Sequence, residues 1–135
     1  MEDKVFKILV VDDDKDIVER LESKLKREGY ESVVAYDGKQ ALNKVAKDNP
    51  DIIILDLMLP ELNGFDVLQE IRQKHNERWR PVIIVSARDE LVSLKKGYNM
   101  EADHYITKPC NLEDILQGIK TMISLMPHRI EPEGD

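Results

Sequence analysis

The sequence predicts a single α/β domain with a doubly wound parallel sheet of five strands and five helices. Short apolar runs recur along the 135 residues, and continuous runs of this kind are typical of strands that are buried on both faces. Between them lie segments with an apolar residue at every third or fourth position, which is typical of amphipathic helices. Strand and helix alternate five times, and this alternation predicts parallel strands joined by right-handed crossovers.

The first half of the chain contains three predicted strands and two predicted helices. Apolar residues recur every four positions from Ile17 to Leu25 and mark the first helix. Asp14 or a neighbouring acid is a suitable N-cap for this helix, and Gly29 is a suitable residue to end it. In chain order the elements are a strand at 7–11 (KILVV), a helix at 15–28, a strand at 32–36 (SVVAY), a helix that closes before Pro50, and a strand at 52–55 (IIIL).

The second half alternates in the same way. Its last helix is strongly amphipathic, whereas the helix before it is the least amphipathic of the set. In chain order the elements are a helix at 64–74, a strand at 81–85 (PVIIV) followed by Ser86 and Ala87, a helix at 89–99, a strand at 104–107, and a helix over 112–123. The segment 127–135 (PHRIEPEGD) has the composition of a linker or frayed end, so the domain is predicted to comprise residues 1–126.

Composition and charge exclude several classes of protein. The net charge of −7 argues against sequence-independent binding to nucleic acids, which requires a basic surface. No apolar run approaches the roughly 20 residues of a membrane helix, and the N-terminus is too acidic for a signal peptide. A single cysteine, Cys110, rules out an internal disulfide and is typical of a reducing compartment, so a cytoplasmic location is predicted.

Chemically active residues follow four of the predicted strands. Asp12 and Asp13 follow the first strand, and Asp56 follows the third within the central stretch DIIILDLMLPELNG at 51–64. Ser86 follows the fourth strand, and Lys108 follows the fifth. Because ligands of doubly wound folds bind at the carboxyl ends of the strands, these side chains are expected to converge on one site. Each residue alone is explained equally well as a cap, a turn residue or a solvated charge.

The predicted site combines three carboxylates with one ammonium group and one hydroxyl. Two unit charges about 4 Å apart repel by about 4 kcal/mol at an effective dielectric constant of ~20, so three clustered carboxylates require a cation. Oxygen ligands from few protein groups suit Mg²⁺, which also binds phosphate oxygens. Lys108 and Ser86 supply a positive charge and a donor for an anion, and a carboxylate can act as the nucleophile that forms an aspartyl phosphate.

Four motifs resemble the receiver domain of two-component response regulators. They are ILVVDD at 8–13, DIIILDLMLPELNGFDVL at 51–68, PVIIVSA at 81–87 and ADHYITKP at 102–109. The ordered set spans almost the whole chain, from about Lys7 to Met126. The resemblance, and not the periodicity, implies a flavodoxin-like fold with the strand order 2-1-3-4-5.

The resemblance also implies a role for each site residue. Asp56 is the expected phosphoacceptor, which receives its phosphoryl group from a phosphohistidine, and Ser86 and Lys108 bind the phosphoryl oxygens. Tyr105 matches an aromatic switch that turns inward on activation. The bond before Pro109 is expected to be cis. The expected ligands of the metal, Mg²⁺ with Mn²⁺ as an alternative, are Asp12, Asp13, Asp56 and the backbone carbonyl of Met58.

The resemblance implies that the protein is a phosphorylation-dependent signalling switch. It is expected to assist its own phosphorylation and slow autodephosphorylation without being an enzyme in the usual sense. The expected partners are a histidine kinase or histidine phosphotransfer protein, and a downstream protein or C-terminal output domain. Activation is expected to alter the surface formed by the fourth helix, the fifth strand and the last helix. The domain is expected to be a monomer or a phosphorylation-linked dimer that binds neither nucleic acid nor membrane.

Three other classes of protein fit the sequence less well. A phosphatase with an aspartyl nucleophile usually has a second acid two residues later, where this chain has Met58. A nucleotide- or flavin-binding module would have a glycine-rich loop after the first strand, where this chain has DDDKD. A scaffold that had lost phosphorylation would lack some of the acids, Ser86 or Lys108. A zinc site is disfavoured because the histidines and Cys110 lack the spacing of zinc ligands.

Overall fold

Five strands form the sheet of the computed structural model, which describes residues 4–87, 89 and 102–126. They are β1 (Lys7–Val11), β2 (Glu31–Ala35), β3 (Ile52–Leu55), β4 (Val82–Ala87) and β5 (His104–Lys108). All neighbouring strands are parallel, and their order across the sheet is β2-β1-β3-β4-β5. The doubly wound fold and the strand order are therefore confirmed.

Four helices connect or follow these strands within the described residues. They are α1 (Lys15–Arg27), α2 (Gly38–Asp48), α3 (Gly64–Lys74) and α4 (Leu112–Leu125). Each begins after an Asp or Asn whose side chain accepts a hydrogen bond from a backbone N–H of the first turn, and these N-caps are Asp14, Asp37, Asn63 and Asn111. Gly29 follows α1 with φ of 91°, a conformation that favours glycine. None of the helices in this part of the chain is long and apolar enough to span a membrane.

Several predictions fall outside these residues. The predicted helix at 89–99 lies almost entirely on residues that the structure does not describe, because only Asp89 of that segment is included. The segment 127–135 is likewise outside, so the predicted domain boundary after Met126 stays a prediction.

Alternate residues of each strand bury the two faces of the sheet. Leu9 and Val11 of β1 belong to a core cluster that includes residues of α2 and α3. Ile8 and Val10 belong to a second cluster that includes residues of α1 and α4. Because both faces are covered, no position in a central strand can be polar without a partner, which explains the continuous apolar runs in the sequence.

Strand β4 is longer than its apolar run predicts. Ser86 and Ala87 belong to the strand, since they pair with Thr107 and Lys108 of β5. The ladder of a neighbouring strand determines where β4 ends, and that neighbour lies about 20 positions later in the chain, so local periodicity could not place the end. Strand β2 begins and ends one residue earlier than predicted.

A polar network lies at the amino-terminal edge of the sheet, and Arg80 is its centre. Only 1% of Arg80 is exposed. Its guanidinium group donates hydrogen bonds to the carbonyl oxygens of Pro50 (3.1 Å) and His75 (2.8 Å) and to the side chains of Asn49 (2.5 Å) and Glu77 (2.7 Å). Arg80 therefore connects the C-terminal ends of α2 and α3, where backbone carbonyls lack partners within the helix.

Two aspartates extend the network along the same edge. Asp51 accepts hydrogen bonds from Lys4 Nζ (2.8 Å), the backbone N–H of Lys7 (2.8 Å) and Arg78 (2.9 Å). Asp103, which directly precedes β5, accepts others from the side chains of Arg72 (2.7 Å) and Trp79 (3.0 Å) and from the backbone of Val82 (2.8 Å). Each aspartate joins segments that are distant in sequence.

Replacing Asp51 by Asn should destabilise the protein in a pH-dependent way. Burial raises the pKa of Asp51, but the hydrogen bonds and charges of its cationic partners outweigh burial and lower the pKa below its usual value. A carboxylate whose pKa is lower in the folded state stabilises the protein above the unfolded pKa, and this contribution is lost as the pH falls through the folded pKa. We expect Asp51→Asn to cost about 2 kcal/mol at neutral pH, measured by urea unfolding. The difference from wild type should shrink below about pH 4, and a difference that is constant between pH 7 and pH 3 would contradict this account.

Candidate functional site

The carboxyl ends of the two central strands bring two buried acids together. Asp12 follows β1 and Asp56 follows β3, and each of them is 6% exposed. The backbone N–H of Asp12 donates to the carbonyl of Ala35 (3.2 Å), and that of Asp56 donates to the carbonyl of Val11 (3.0 Å). Because these bonds continue the ladder of the sheet beyond the strand ends, the two carboxylates lie side by side.

Three donors from different segments hold the carboxylate of Asp56. Its Oδ1 accepts hydrogen bonds from the backbone N–H of Met58 (3.0 Å) and from Ser86 Oγ (3.2 Å). Its Oδ2 accepts from Lys108 Nζ (3.0 Å), which also donates to Asp12 Oδ2 (3.1 Å). The sequence-predicted acids, hydroxyl and ammonium group of the first, third, fourth and fifth strands therefore lie in one cluster.

Asp13 completes a group of three carboxylates. Asp12, Asp13 and Asp56 each offer one oxygen, and these oxygens all lie within 4.8 Å of one another. Ligands of an octahedral Mg²⁺ at about 2.1 Å are about 3.0 Å apart when adjacent and about 4.2 Å apart when opposite, so adjustments of roughly 1 Å would let the three oxygens bind one ion. Asp13 is exposed, which leaves room for water ligands. The donor set and its spacing fit Mg²⁺.

The charges of this cluster do not balance. Burial, together with the charge of Asp12, raises the pKa of Asp56 above its usual value, although the hydrogen bonds from Met58 and Lys108 act in the opposite direction. Burial lowers the pKa of Lys108, but the hydrogen bonds and charges of Asp56 and Asp12 outweigh it and raise the pKa. One ammonium group thus serves two buried carboxylates, and an additional cation would relieve the excess negative charge.

The two remaining predicted residues lie in different environments. Met58 contributes its backbone N–H to the site, and the residue as a whole is 56% exposed. Tyr105 is partly buried and packs against the core cluster on the α2 and α3 face of the sheet. The bond between Lys108 and Pro109 is cis, as the resemblance implies.

Gly64 is a site residue to which sequence reasoning gave no role. A Cβ atom at this position would lie 2.5 Å from the carbonyl oxygen of Asp56 and 2.6 Å from Cα of Leu57. The backbone N–H of Gly64 also donates to the carbonyl of Leu57 (2.9 Å). The start of α3 therefore rests directly on the backbone that bears Asp56, and only glycine fits there. A glycine just before a helical pattern is a weak signal, which the sequence alone did not distinguish from an ordinary helix start.

Comparison with known proteins agrees with this geometry. The family model described as response regulator receiver domain matches residues 8–120. The receiver domain of response regulator 1452 from Francisella is 33% identical, with a TM-score of 0.78, and the match covers 89% of this chain and 98% of that one. The response regulator TrrA from Thermotoga maritima, solved in complex with Mg²⁺–BeF, is 34% identical, with a TM-score of 0.75 and coverage of 87% and 99%.

A third similar structure is the chemotaxis response regulator CheY4 of Vibrio cholerae. It is 28% identical, with a TM-score of 0.79, and the match covers 87% of this chain and 98% of that one. The matches extend over nearly the full length of these receiver domains, and the acidic cluster lies at the carboxyl edge of the same fold. The chain therefore belongs to the family of response regulator receiver domains, which are phosphorylation-dependent signalling domains of two-component systems.

Proposed function

We propose that Asp56 is the phosphoacceptor of this receiver domain. The observation that supports this most directly is the carboxylate of Asp56, which receives hydrogen bonds from Met58, Ser86 and Lys108 at 3.0 to 3.2 Å. These groups are the donors that a phosphoryl group on Asp56 would need around its oxygens. The phosphodonor is a histidine kinase or a histidine phosphotransfer protein.

The reaction is a phosphoryl transfer between a nitrogen and an oxygen. A carboxylate oxygen of Asp56 attacks the phosphorus atom of the donor phosphohistidine, and a P–O bond forms as the P–N bond breaks. The electron pair of the broken bond goes to the imidazole nitrogen, and the ring leaves as neutral histidine because its other nitrogen carries a proton. Lys108 and Ser86 then donate to the new phosphoryl oxygens, so the charge developed in the transition state meets donors that are already in place.

The carboxylates of Asp12, Asp13 and Asp56, with the backbone carbonyl of Met58, would hold Mg²⁺, and Mn²⁺ is an alternative with the same oxygen preference. When bound, the metal neutralises the negative charge that accumulates between the carboxylates and the phosphoryl oxygens. The spacing of the three carboxylate oxygens and the uncompensated charge at Asp56 support this part of the proposal. The Mg²⁺–BeF complex of the Thermotoga maritima protein also supports it.

Phosphorylation shifts an equilibrium between two conformations. Tyr105 is the switch residue in this proposal, and its partly buried position on β5 is consistent with a change in packing. The altered surface comprises the helix predicted at 89–99, β5 and α4, and it is read by a downstream protein or by a C-terminal output domain. We place the domain in the cytoplasm, as a monomer or a phosphorylation-linked dimer. Its net charge of −7 argues against direct contact with nucleic acids.

Mg²⁺ should stabilise the wild-type protein and should stabilise Asp56→Asn less, because the variant lacks one ligand charge. With a dissociation constant of about 1 mM, ~10 mM Mg²⁺ adds roughly 1.4 kcal/mol to the free energy of unfolding. Without metal, Asp56→Asn should be more stable than wild type by about 1 kcal/mol. The substitution removes the repulsion by Asp12, and this gain should exceed the loss of the ion pair with Lys108.

Thermal unfolding of both proteins, with and without Mg²⁺ at constant ionic strength, tests this proposal. Equal stabilisation of the two proteins by Mg²⁺ would show that the three carboxylates do not share one metal site. A metal-free Asp56→Asn protein that is less stable than wild type would contradict the electrostatic account of the cluster.

The phosphoryl group on Asp56 should be hydrolysed slowly, and the rate of this hydrolysis should depend on the identity of residue 58. The exposed side chain of Met58 lies two residues beyond Asp56, and a thioether is no general base for an attacking water. We expect Met58→Asn to change the decay rate by about threefold or more, since it introduces a polar group that can orient water. Met58→Leu is the matched control and should decay like wild type. Identical rates in all three proteins, measured by loss of phosphoprotein after removal of the donor, would disprove this role of Met58.

A further inference from the structure

The loop between β3 and α3, residues 57–63, holds the proposed metal ligand at Met58 in place. Three backbone hydrogen bonds tie the loop to itself or to the start of α3, from Leu59 to Leu57 (3.2 Å), from Leu62 to Pro60 (2.8 Å) and from Gly64 to Leu57 (2.9 Å). Because its internal bonds are short-range, the loop is expected to move as a unit when one residue of it is displaced.

Gly38, the first residue of α2, packs against this loop at Leu62. A Cβ atom at Gly38 would lie 2.7 Å from the carbonyl oxygen of Leu62, 3.0 Å from Cβ of Leu62 and 2.8 Å from Cγ2 of Val67. Real Cβ atoms essentially never approach other atoms closer than 3.0 Å. The absence of a side chain at Gly38 therefore allows the N-terminal end of α2 to pack directly on the backbone of the loop.

We propose that Gly38 is a positioning residue for the metal site. It acts through Leu62 and fixes the place of the loop, and with it the carbonyl of Met58 and the N–H that Met58 donates to Asp56 Oδ1 (3.0 Å). This inference rests on the proposed function, in which that carbonyl is a metal ligand. Gly38 lies outside the cluster of acids, directly after the turn that follows β2. In this proposal it nevertheless controls the affinity of the cluster for Mg²⁺.

Neither side of the contact can yield without cost. Helix α2 is fixed by its N-cap, since Asp37 accepts a hydrogen bond from the backbone N–H of Gln40 (2.8 Å), and by Ala41 and Val45, which are buried in the core. On the loop side, the nearest atom that a Cβ would meet is the backbone carbonyl oxygen of Leu62, which cannot rotate away as a side chain can. The displacement must therefore pass along the loop towards Leu57 and Met58.

The test is the affinity of Gly38→Ala for Mg²⁺, measured by isothermal titration calorimetry. We expect the dissociation constant to rise about tenfold, the lower end of the effect of substitutions outside the ligand set. Phosphorylation by acetyl phosphate should be slower at low Mg²⁺ and should recover at saturating Mg²⁺, because the nucleophile is intact. In the metal-free protein, the amide resonance of Met58 should shift.

Gly118→Ala is the matched control. A Cβ at Gly118 would meet only side-chain atoms, His104 Cδ2 at 3.1 Å and Ile106 Cδ1 at 3.4 Å, and it lies in α4, on the opposite face of the sheet from α2. The same substitution in this second helix should leave the affinity for Mg²⁺ and the Met58 resonance unchanged. An equal loss of affinity in both variants would overturn the proposal, because it would reflect a general effect of packing.

A second arm separates the backbone contact from the side-chain contact. Adding Val67→Ala to Gly38→Ala removes the clash with Cγ2 and leaves the clash with the Leu62 carbonyl, so the affinity for Mg²⁺ should stay low. Recovery of wild-type affinity in the double variant would overturn the proposal. If Gly38→Ala alone does not fold, the double variant, in which one of the clashes is removed, takes its place, and wild-type affinity for Mg²⁺ in it overturns the proposal.

The outcomes distinguish this inference from the proposed function. If the wild-type protein binds no Mg²⁺ and is not phosphorylated, the proposed function is wrong and the inference fails with it. If the wild-type protein binds Mg²⁺ and Gly38→Ala binds it equally well, the inference alone is wrong.

Discussion

Asp56→Asn should abolish phosphorylation of this protein by acetyl phosphate in the presence of Mg²⁺. The amide has no anionic oxygen with which to attack phosphorus. Its nitrogen replaces one carboxylate oxygen, so it cannot accept the hydrogen bond that this oxygen receives from either Lys108 or Ser86. The change is nearly isosteric and leaves Asp12 and Asp13 in place, so the fold should be retained. The expected loss is about 1,000-fold or more in the labelling rate, measured by intact-protein mass spectrometry.

Asp66→Asn is the matched control for this experiment. Asp66 is an exposed acid in the first turn of α3, a few residues after the loop that follows Asp56. The Asp66→Asn substitution also replaces a carboxylate by an amide and removes one negative charge, but it does so outside the cluster. Labelling should therefore proceed as in wild type. Stoichiometric labelling of Asp56→Asn would refute the assignment of the phosphoacceptor, and loss of labelling in both variants would point to a general effect of charge.

Arg80→Met should cause the largest loss of stability expected from a single change at the amino-terminal edge. Methionine preserves length and apolar packing but removes every donor of the guanidinium group. The carbonyl of His75 loses the hydrogen bond from Arg80, whereas Pro50 and Asn49 keep hydrogen bonds from Arg78. We expect a cost of about 3 kcal/mol, with a Tm lower by roughly 10 °C.

Arg27→Met provides the comparison. Arg27 is exposed in the last turn of α1, where a positive charge contributes only a favourable interaction with the helix dipole. Its replacement should change the free energy of unfolding by less than about 0.5 kcal/mol. If the two variants unfold at the same urea concentration, the buried hydrogen bonds of Arg80 contribute nothing to stability.

These two predictions concern opposite edges of the same sheet. The carboxyl edge collects acids that repel one another, and a bound metal ion would offset the excess negative charge there. The amino edge pairs its acids with arginines, as in the contacts of Asp103 with Arg72 and of Asp51 with Arg78. Because the amino edge is stabilised by its own side chains, the carboxyl edge can keep an unfavourable charge arrangement that serves binding.

The sequence by itself determined the fold class, the chain order of its elements and the main residues of the site. Apolar runs such as IIIL at 52–55 marked strands because a strand buried on both faces tolerates no unpartnered polar residue. The acids after the first and third strands could be placed together because parallel strands carry their carboxyl ends to one edge. The strand pattern and the rule for parallel sheets therefore sufficed to predict that five side chains meet at one edge, those of Asp12, Asp13, Asp56, Ser86 and Lys108.

Only the tertiary structure decided which groups touch and how tightly. The end of β4 depended on pairing with β5, and Lys108 was found to bridge Asp12 and Asp56. No local pattern indicated that Arg80 is buried, because arginine is usually exposed and its partners lie at or just beyond the C-terminal ends of two helices. The roles of Gly38 and Gly64 were equally hidden, since a missing side chain matters only when another backbone occupies its space, and the packing of distant segments determines that.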